Sequence, residues 1–457
     1  LAGPRAAGDR RQRAGGHRLK RLHNKRGSYI ILLTISLCAM MILVYAVIYA
    51  SGQAAIGSTV RSFGALWGRS ILGEYDRTLK ERYGIFAFYA DPLLAEHKLN
   101  LYADYTCRGK SYLHQQGAAA TLDGFGITET DIFERQIRAA VLSGVKPQPL
   151  RAPPQETAST ASTETNRRIS SRWILDSLPS AGSSRGVDLT ALLRQIKTEI
   201  SLSQMVSRAA DTKYIFTYFR HAQTDAETAA SLGETFFQNE VEYLLSGKPD
   251  DERAKTYVRR MLKIVRNGLN LAYLYSCPAK REAAMAAAQA ISPGPAAALT
   301  QALILESWAL LEAENDLRIL EAGERVPLIK QDDNWAISLE NVLALDFSGD
   351  DTNEGNGGGE EAGEPADPLQ SGFIRPQTIE GQSYEAYLKI FVAALPQETR
   401  VLRMMDLMQI NLKYLYNESF LLADYYTGLH YTLRINGKAY EFTETYDKTG
   451  TKQEEQA

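Results

Sequence analysis

Two close carboxylate pairs, Glu74 with Asp76 and Glu240 with Glu242, have a spacing at which general acid–base work can be considered. On a helix, side chains two residues apart diverge, so this spacing favours structural hydrogen bonding over a shared reacting atom. The histidines, His17, His23, His97, His114, His221 and His430, never reach the H-E-x-x-H spacing of a metal site, and there is no C-x-x-C. No G-x-S-x-G, Walker-type glycine loop, G-x-G-x-x-G or S-x-x-K motif stands in a supporting context. One register, Asp350-x-x-x-Glu354-Gly355 with Glu361 at its end, loosely echoes a calcium loop. However, Thr352 and Glu354 stand where Asp or Asn is expected, and no helices flank it. The sequence therefore nominates no catalytic, cofactor-binding or metal-ligating residue.

The distribution of charge says more. The 457 residues carry a net charge of −3, yet the first 26 hold nine Lys/Arg against one acid, Asp9. That stub is +8, and the rest of the chain is therefore −11. An acidic body lacks the basic face that nucleic-acid binding requires, so nucleic acid is not an expected partner. The stretch from Gly27 to Val60 has no charged residue, and its 22 residues from Tyr29 to Ala50 are nearly all apolar. As a helix they reach about 33 Å, the thickness of a bilayer's hydrocarbon core. Tyr29, Tyr45 and Tyr49 lie near its ends, where aromatic rings favour the interface. Lys20, Arg21, Lys25 and Arg26 precede it, which predicts a cytoplasmic N-terminus and a single-pass cell-membrane anchor with the body outside. A cleaved signal peptide is the rival reading. The apolar run exceeds the usual h-region, and Ser51–Ala55 is a weak cleavage candidate.

Beyond the span, Ile56, Val60, Phe63, Trp67, Ile71, Tyr75, Leu79 and Tyr83 recur every three or four residues, one face of an amphipathic helix continuing to Tyr83. This face is the candidate for meeting a partner helix, or for packing into the protein's own domain. Gly64-x-x-x-Gly68 has the small-residue spacing that lets backbones approach closely. A short strand is expected within Gly84–Tyr89, and a helix over Thr130–Leu142 with Thr130 as its cap.

Residues 146–186, rich in Pro, Ser and Thr, read as a linker, and helical periodicity resumes at Asp188. Tyr214–Phe219 reads as a buried strand or a core helix turn. Three helices are expected over 240–322, the last striped by Leu299, Leu303, Leu310, Leu311, Leu317 and Leu320. Residues 331–374 hold eleven acids and no Lys or Arg, a composition that predicts a mobile acidic loop. A helix pair interrupted at Pro396 follows. Asn436-Gly437 between alternating segments then predicts a C-terminal hairpin. Cys38 falls in the span, which leaves Cys107 and Cys277 either paired or as two free thiols.

Together these give an α+β protein: one N-terminal transmembrane helix continuing into an amphipathic helix, a mostly helical extracytoplasmic body and a C-terminal β-hairpin. Its segments would be a basic stub (1–26), an anchor (27–60), the amphipathic helix and first segment (61–145), a linker (146–186), a helical domain (187–345), an acidic loop (346–380) and the helix pair with hairpin (381–457).

The basic run, then Arg26-Gly27-Ser28 opening an apolar helix with an amphipathic extension, resembles TadE/TadG-like pseudopilins of the tight-adherence (Flp) pilus machinery. Ile71–Phe88 (ILGEYDRTLKERYGIFAF) is similar to a family of membrane-anchored proteins of unknown function from Gram-positive bacteria, linked to such pilus or secretion clusters. Phe133–Ile137, Asn239–Lys248, Ala302–Lys330 and Tyr387–Leu412 resemble the same family in the same order. The resemblance implies no catalytic residue. It implies pilus or secretion-system membrane components as partners, beside the bilayer itself, and Gly27–Ser28 as a conceivable processing site. Pilins carry Glu five residues after such a cut, and Leu32 stands there in this chain. The expected role is assisting assembly or anchoring of such an apparatus, without catalysis. The alternative is a binding or sensing module of the envelope.

Overall fold

A computed structural model describes residues 25–149, 174–181, 202–344 and 372–446. The chain opens with α1 (Lys25–Leu72), 48 residues and thus about 72 Å of helix. Every side chain from Tyr29 to Ala50 is exposed, although nearly all are apolar. This helix is long and apolar enough to cross a membrane. The expected continuation to Tyr83 ends early. Gly73 and Glu74 form a turn, and Asp76 caps a separate helix, α2 (Arg77–Tyr83), by accepting from the Leu79 amide at 3.0 Å. Gly84, left-handed at φ 67°, closes α2, and the added Cβ of any other residue would press on Ala140 and Tyr218.

The lower half of α1 lies against a three-stranded antiparallel sheet in the order β2 (Gln115–Thr121), β4 (Gly428–Ile435), β5 (Lys438–Thr445). Strands β4 and β5 are the expected hairpin. Asn436 and Gly437 adopt φ of 53° and 76°, the twist a two-residue turn needs, and Ile435 pairs with Lys438. Leu429, Tyr431 and Leu433 alternate inward while Arg434 faces solvent, so one face of the sheet is dry. Helix α3 (Pro92–Cys107) joins α1 on that face through Leu99 and Ala103. A two-residue pair, β1 (Phe88–Tyr89) with β3 (Tyr425–Tyr426), ties the sheet to the helical body.

That body comprises α4 (Thr130–Ser143), α5 (Leu202–Tyr218), α6 (Ala226–Leu232), α7 (Glu240–Ser246), α8 (Asp251–Ser276), α9 (Pro278–Ile291), α10 (Ala297–Glu321), α11 (Leu339–Leu343), α12 (Tyr384–Ala394) and α13 (Gln397–Leu415). Its largest core draws on α2, α4, α5, α7, α8, α12 and α13, so segments 61–145, 187–345 and 381–457 share one interior. Helix α13 runs through the middle, buried on nearly every side from Thr399 to Lys413. A second core, around Trp308 and Trp335, joins α8, α9, α10 and α11.

Four further expectations need correction. Thr130 is the first helical residue of α4, and Glu129 is its cap. Of the proposed linker, residues 174–181 are docked on α13: Ser180 donates to Asp406 at 2.9 Å and Lys413 to the Asp176 carbonyl at 3.0 Å. Residues 150–173 and 182–201 lie outside the described residues, as do the helical start at Asp188, the calcium-like register and most of the acidic loop. Within the acidic stretch, residues 331–344 are folded, because Trp335, Ile337 and Val342 are buried while Asp332 meets Tyr273 and Lys280 at the surface. On α10, Leu299, Leu303 and Leu310 are exposed. Leu317 and Leu320 are buried as expected, and the rest of the buried face is Ile304, Leu305, Trp308 and Ala309, where the Trp308 indole donates to the Ile337 carbonyl at 2.8 Å. Of the two readings left open for Cys107 and Cys277, the free thiols hold, one beside the α1–sheet contact and the other between α8 and α9.

The α1–sheet contact gives a stability prediction. Gly68→Val places methyl groups where Tyr431 and Glu444 already stand, and the neighbouring ring of Phe442 is stacked on Tyr431 and has little room to move. Overpacking of this kind costs about 1–3 kcal/mol. Thermal unfolding of the full chain in detergent checks it: a lowered midpoint is expected, and an unchanged one contradicts the packing.

Candidate interaction site on the long N-terminal helix

The residues expected on one partner face divide between three elements. Ile56, Val60, Phe63, Trp67 and Ile71 lie on α1, and Val60, Trp67 and Ile71 retain only 1%, 4% and 1% of their exposure. Tyr75 sits in the turn, where Lys80 donates to its hydroxyl at 3.1 Å and its ring meets Phe86 edge-on. Leu79 and Tyr83 belong to α2 and are fully buried in the main core. The apolar face of α1 therefore has a partner inside the chain. Trp67 and Ile71 pack with Leu429, Tyr431 and Leu433, and Val60 with Leu113 and Ile435. The Tyr431 hydroxyl donates to the Gly64 carbonyl at 2.7 Å. The glycine pair admits aromatic rings of the sheet, not a second helix. The opposite face remains open along Ser58, Ser62, Leu66 and Arg69, with Leu66 57% exposed. Gly27 and Ser28 fall in the first turn of α1.

Both carboxylate pairs hold structure together. Glu74 is paired with Lys98 and accepts from Tyr102, while Asp76 caps α2 and accepts from Tyr425 at 3.2 Å. Glu240 and Glu242 are buried at the start of α7. Glu240 accepts from the Arg220 amide at 2.8 Å and Asn411 at 2.6 Å; Glu242 accepts from the Ala222 amide at 3.0 Å and Tyr384 at 2.8 Å. They clamp the loop after α5 onto α7, Glu240 also reaching α13 and Glu242 reaching α12. Burial pushes both carboxyls above the ordinary range, opposed for Glu240 by the charge of Arg82 and for Glu242 by the Ala222 amide.

Sequence reasoning did not find the interior ion pairs. Arg266 on α8 meets Asp316 on α10 at 2.9 Å and donates to the Pro327 carbonyl at 2.9 Å. Lys330 reaches Asp316 at 2.6 Å and is also paired with Glu312, whose other oxygen accepts from the Ile337 amide at 2.7 Å. Arg400 on α13 grips Asp211 on α5 at 2.7 Å. Each lies within a charged stretch that reads as a solvated face, and only the tertiary fold shows which member turns inward. Losing one partner of such a pair costs about 3–5 kcal/mol, because the other charge stays buried. Among the described residues, no group of three or more His, Cys, Asp or Glu is placed to hold a metal ion.

Fold and site together define an α+β protein in which one long apolar N-terminal helix is built into the body it carries. Residues 149–437 match the model of a family of unknown function, DUF5702, which is more than half of the chain, and the protein belongs to that family. The match covers α5 to α13, β3 and β4, while α1 to α4, β1 and β2 precede it. No curated protein matches the chain, and no solved structure does.

The raised Glu242 carboxyl has a signed consequence. Its protonated form is favoured in the fold, so its contribution is complete below the unfolded value of about 4.3 and is lost as pH rises toward the folded value. Glu242→Gln removes that dependence while keeping the Oε1 acceptor. The stability of the variant relative to the native chain is expected to grow from acidic toward neutral pH in denaturant titrations. A difference that does not change with pH contradicts the assignment.

Proposed function

We propose that this protein is a non-catalytic, single-pass membrane protein whose body lies outside the cytoplasm and assists assembly or anchoring of a tight-adherence-type pilus or secretion apparatus. The observation that carries this reading is the continuity of α1. The helix passes from 22 exposed, nearly all apolar residues into the packed face formed by Val60, Trp67 and Ile71 without a break. A body joined to its anchor by a flexible tether can reorient, whereas one built around the anchor holds a set position above the membrane, as an assembly platform requires. The same continuity favours a retained anchor over a cleaved signal, since Ser51–Ala55 lies within unbroken helix. The +8 stub before the span supports a cytoplasmic N-terminus. The buried carboxylates and guanidinium groups act as internal ties, consistent with a scaffold. The pilus connection rests on the ordered motifs from Ile71 to Leu412 that resemble the tight-adherence-linked family.

Because the apolar face of α1 is occupied within the chain, the partner-facing side is the open one through Ser62 and Leu66. A photo-crosslinking residue at Leu66 in native membranes is expected to capture a membrane component of the apparatus, and the same residue at Trp67 to crosslink only within the chain. If Leu66 captures no such component, the proposal fails.

A further inference from the structure

Where α1 leaves the apolar span, the tip of the C-terminal hairpin folds back against it. The Lys438 ammonium donates to Gln53 at 3.1 Å, and Gly57 lies opposite the Tyr440 hydroxyl. Between helix and hairpin is a cavity of about 550 Å³ lined by Gln53, Ser58, Arg61, Ser62, Lys438 and Tyr440 among others, with no carboxylate in its lining. Gln53 stands three residues past Ala50, so Lys438 sits about 5 Å beyond the hydrocarbon edge, inside a headgroup layer roughly 5–8 Å deep. Tyr49, one turn earlier and stacked on Tyr45, marks the same boundary. Arg61 is two turns further along α1. Helical side chains lean toward the N-terminus, so its guanidinium leans back toward the bilayer. Among the described residues Arg61 has no acidic partner, and nor does Lys438. Two cations and a tyrosine thus line one cavity whose lower end, at Gln53 and Lys438, lies at headgroup depth. The Arg61 backbone is about 16 Å past Ala50, and its long side chain closes the cavity from above.

We infer that the cavity between α1 and the hairpin tip binds the phosphate of an anionic phospholipid headgroup, with Lys438 as its charged contact at headgroup depth and Arg61 reaching back to it from above. The inference rests on the reading of α1 as a membrane anchor. It gives the hairpin a second role, in which the turn at Asn436-Gly437 seats the sheet on the headgroup layer and fixes the height of the body. The contact is electrostatic and partly exposed, so it weakens with salt.

The test uses the full chain in phosphatidylcholine nanodiscs, with and without phosphatidylglycerol, followed by backbone hydrogen exchange. Phosphatidylglycerol is expected to slow exchange several-fold in residues 436–440, high salt to reverse the effect, and the double variant Arg61→Gln/Lys438→Gln to abolish it while its thermal midpoint is unchanged. Equal exchange in the two disc types, with the chain still held after an alkaline wash, overturns the headgroup site and leaves the anchor standing. Loss of the chain from both disc types overturns the anchor itself and the inference with it. Slowing by inorganic phosphate in neutral discs to the same extent overturns the lipid as occupant.

Discussion

Everything outside the apolar span is oriented by one contact, the close seating of α1 on the aromatic face of the sheet. Gly64 and Gly68 remove the side chains that would hold the helix off, so that the Phe442 ring and the Tyr431 hydroxyl reach its backbone. The Tyr431 hydroxyl is well placed because it lies on the inward-facing set of β4, in register with Leu429 and Leu433. Two glycines in a helix cost about 1 kcal/mol each against alanine. That cost is accepted here because wider residues would separate the helix from the sheet and expose Trp67 and Ile71.

A second set of constraints keeps the helical body from moving relative to that contact. Strands β1 and β3 pair Phe88 with Tyr426, linking the sheet region to the loop between α2 and α3. Behind them, α13 offers polar groups inward as well as apolar ones: Arg400 to Asp211, Arg403 to the Leu244 carbonyl, Asn411 to Glu240 and Asp406 to Tyr243. One tie joins α13 to α5 and three join it to α7. Hydrophobic packing alone tolerates sliding, whereas buried charge pairs have one low-energy register and penalise others heavily. The body is therefore held as one unit on a helix that continues into the apolar span.

Much of this was legible in the sequence, and the exceptions share a cause. The apolar span, the helices flanking Ser292–Pro295, the break at Pro396 and the Asn436-Gly437 hairpin rest on local chemistry, and local chemistry decided them. Strand β2, with the sequence QQGAAAT, has no β-branched or aromatic alternation and is a strand only because β4 offers it an edge. The leucine stripe of α10 holds at Leu317 and Leu320, but the first half of this Ala/Leu-rich helix carries stripes on two faces, and Ile304, Leu305 and Trp308 are buried in place of Leu299, Leu303 and Leu310. The helix beyond the span was readable as amphipathic. Its partner was not, because an apolar face looks the same whether another protein or the chain's own sheet covers it. Membership of a family of unknown function brings no residue roles with it, so the candidate site stands on geometry alone.

The central claim is that anchor and body form a single rigid piece. Its most direct measurement is the distance distribution between spin labels on Ser58→Cys, on the open face of α1, and Thr443→Cys, on the solvated face of β5. The full chain would be in bilayers, with Cys38, Cys107 and Cys277 replaced by Ala. The account predicts one narrow distribution, unchanged between detergent and bilayer. A broad distribution, or one that shifts between the two, would show that α1 leaves the sheet and would contradict it.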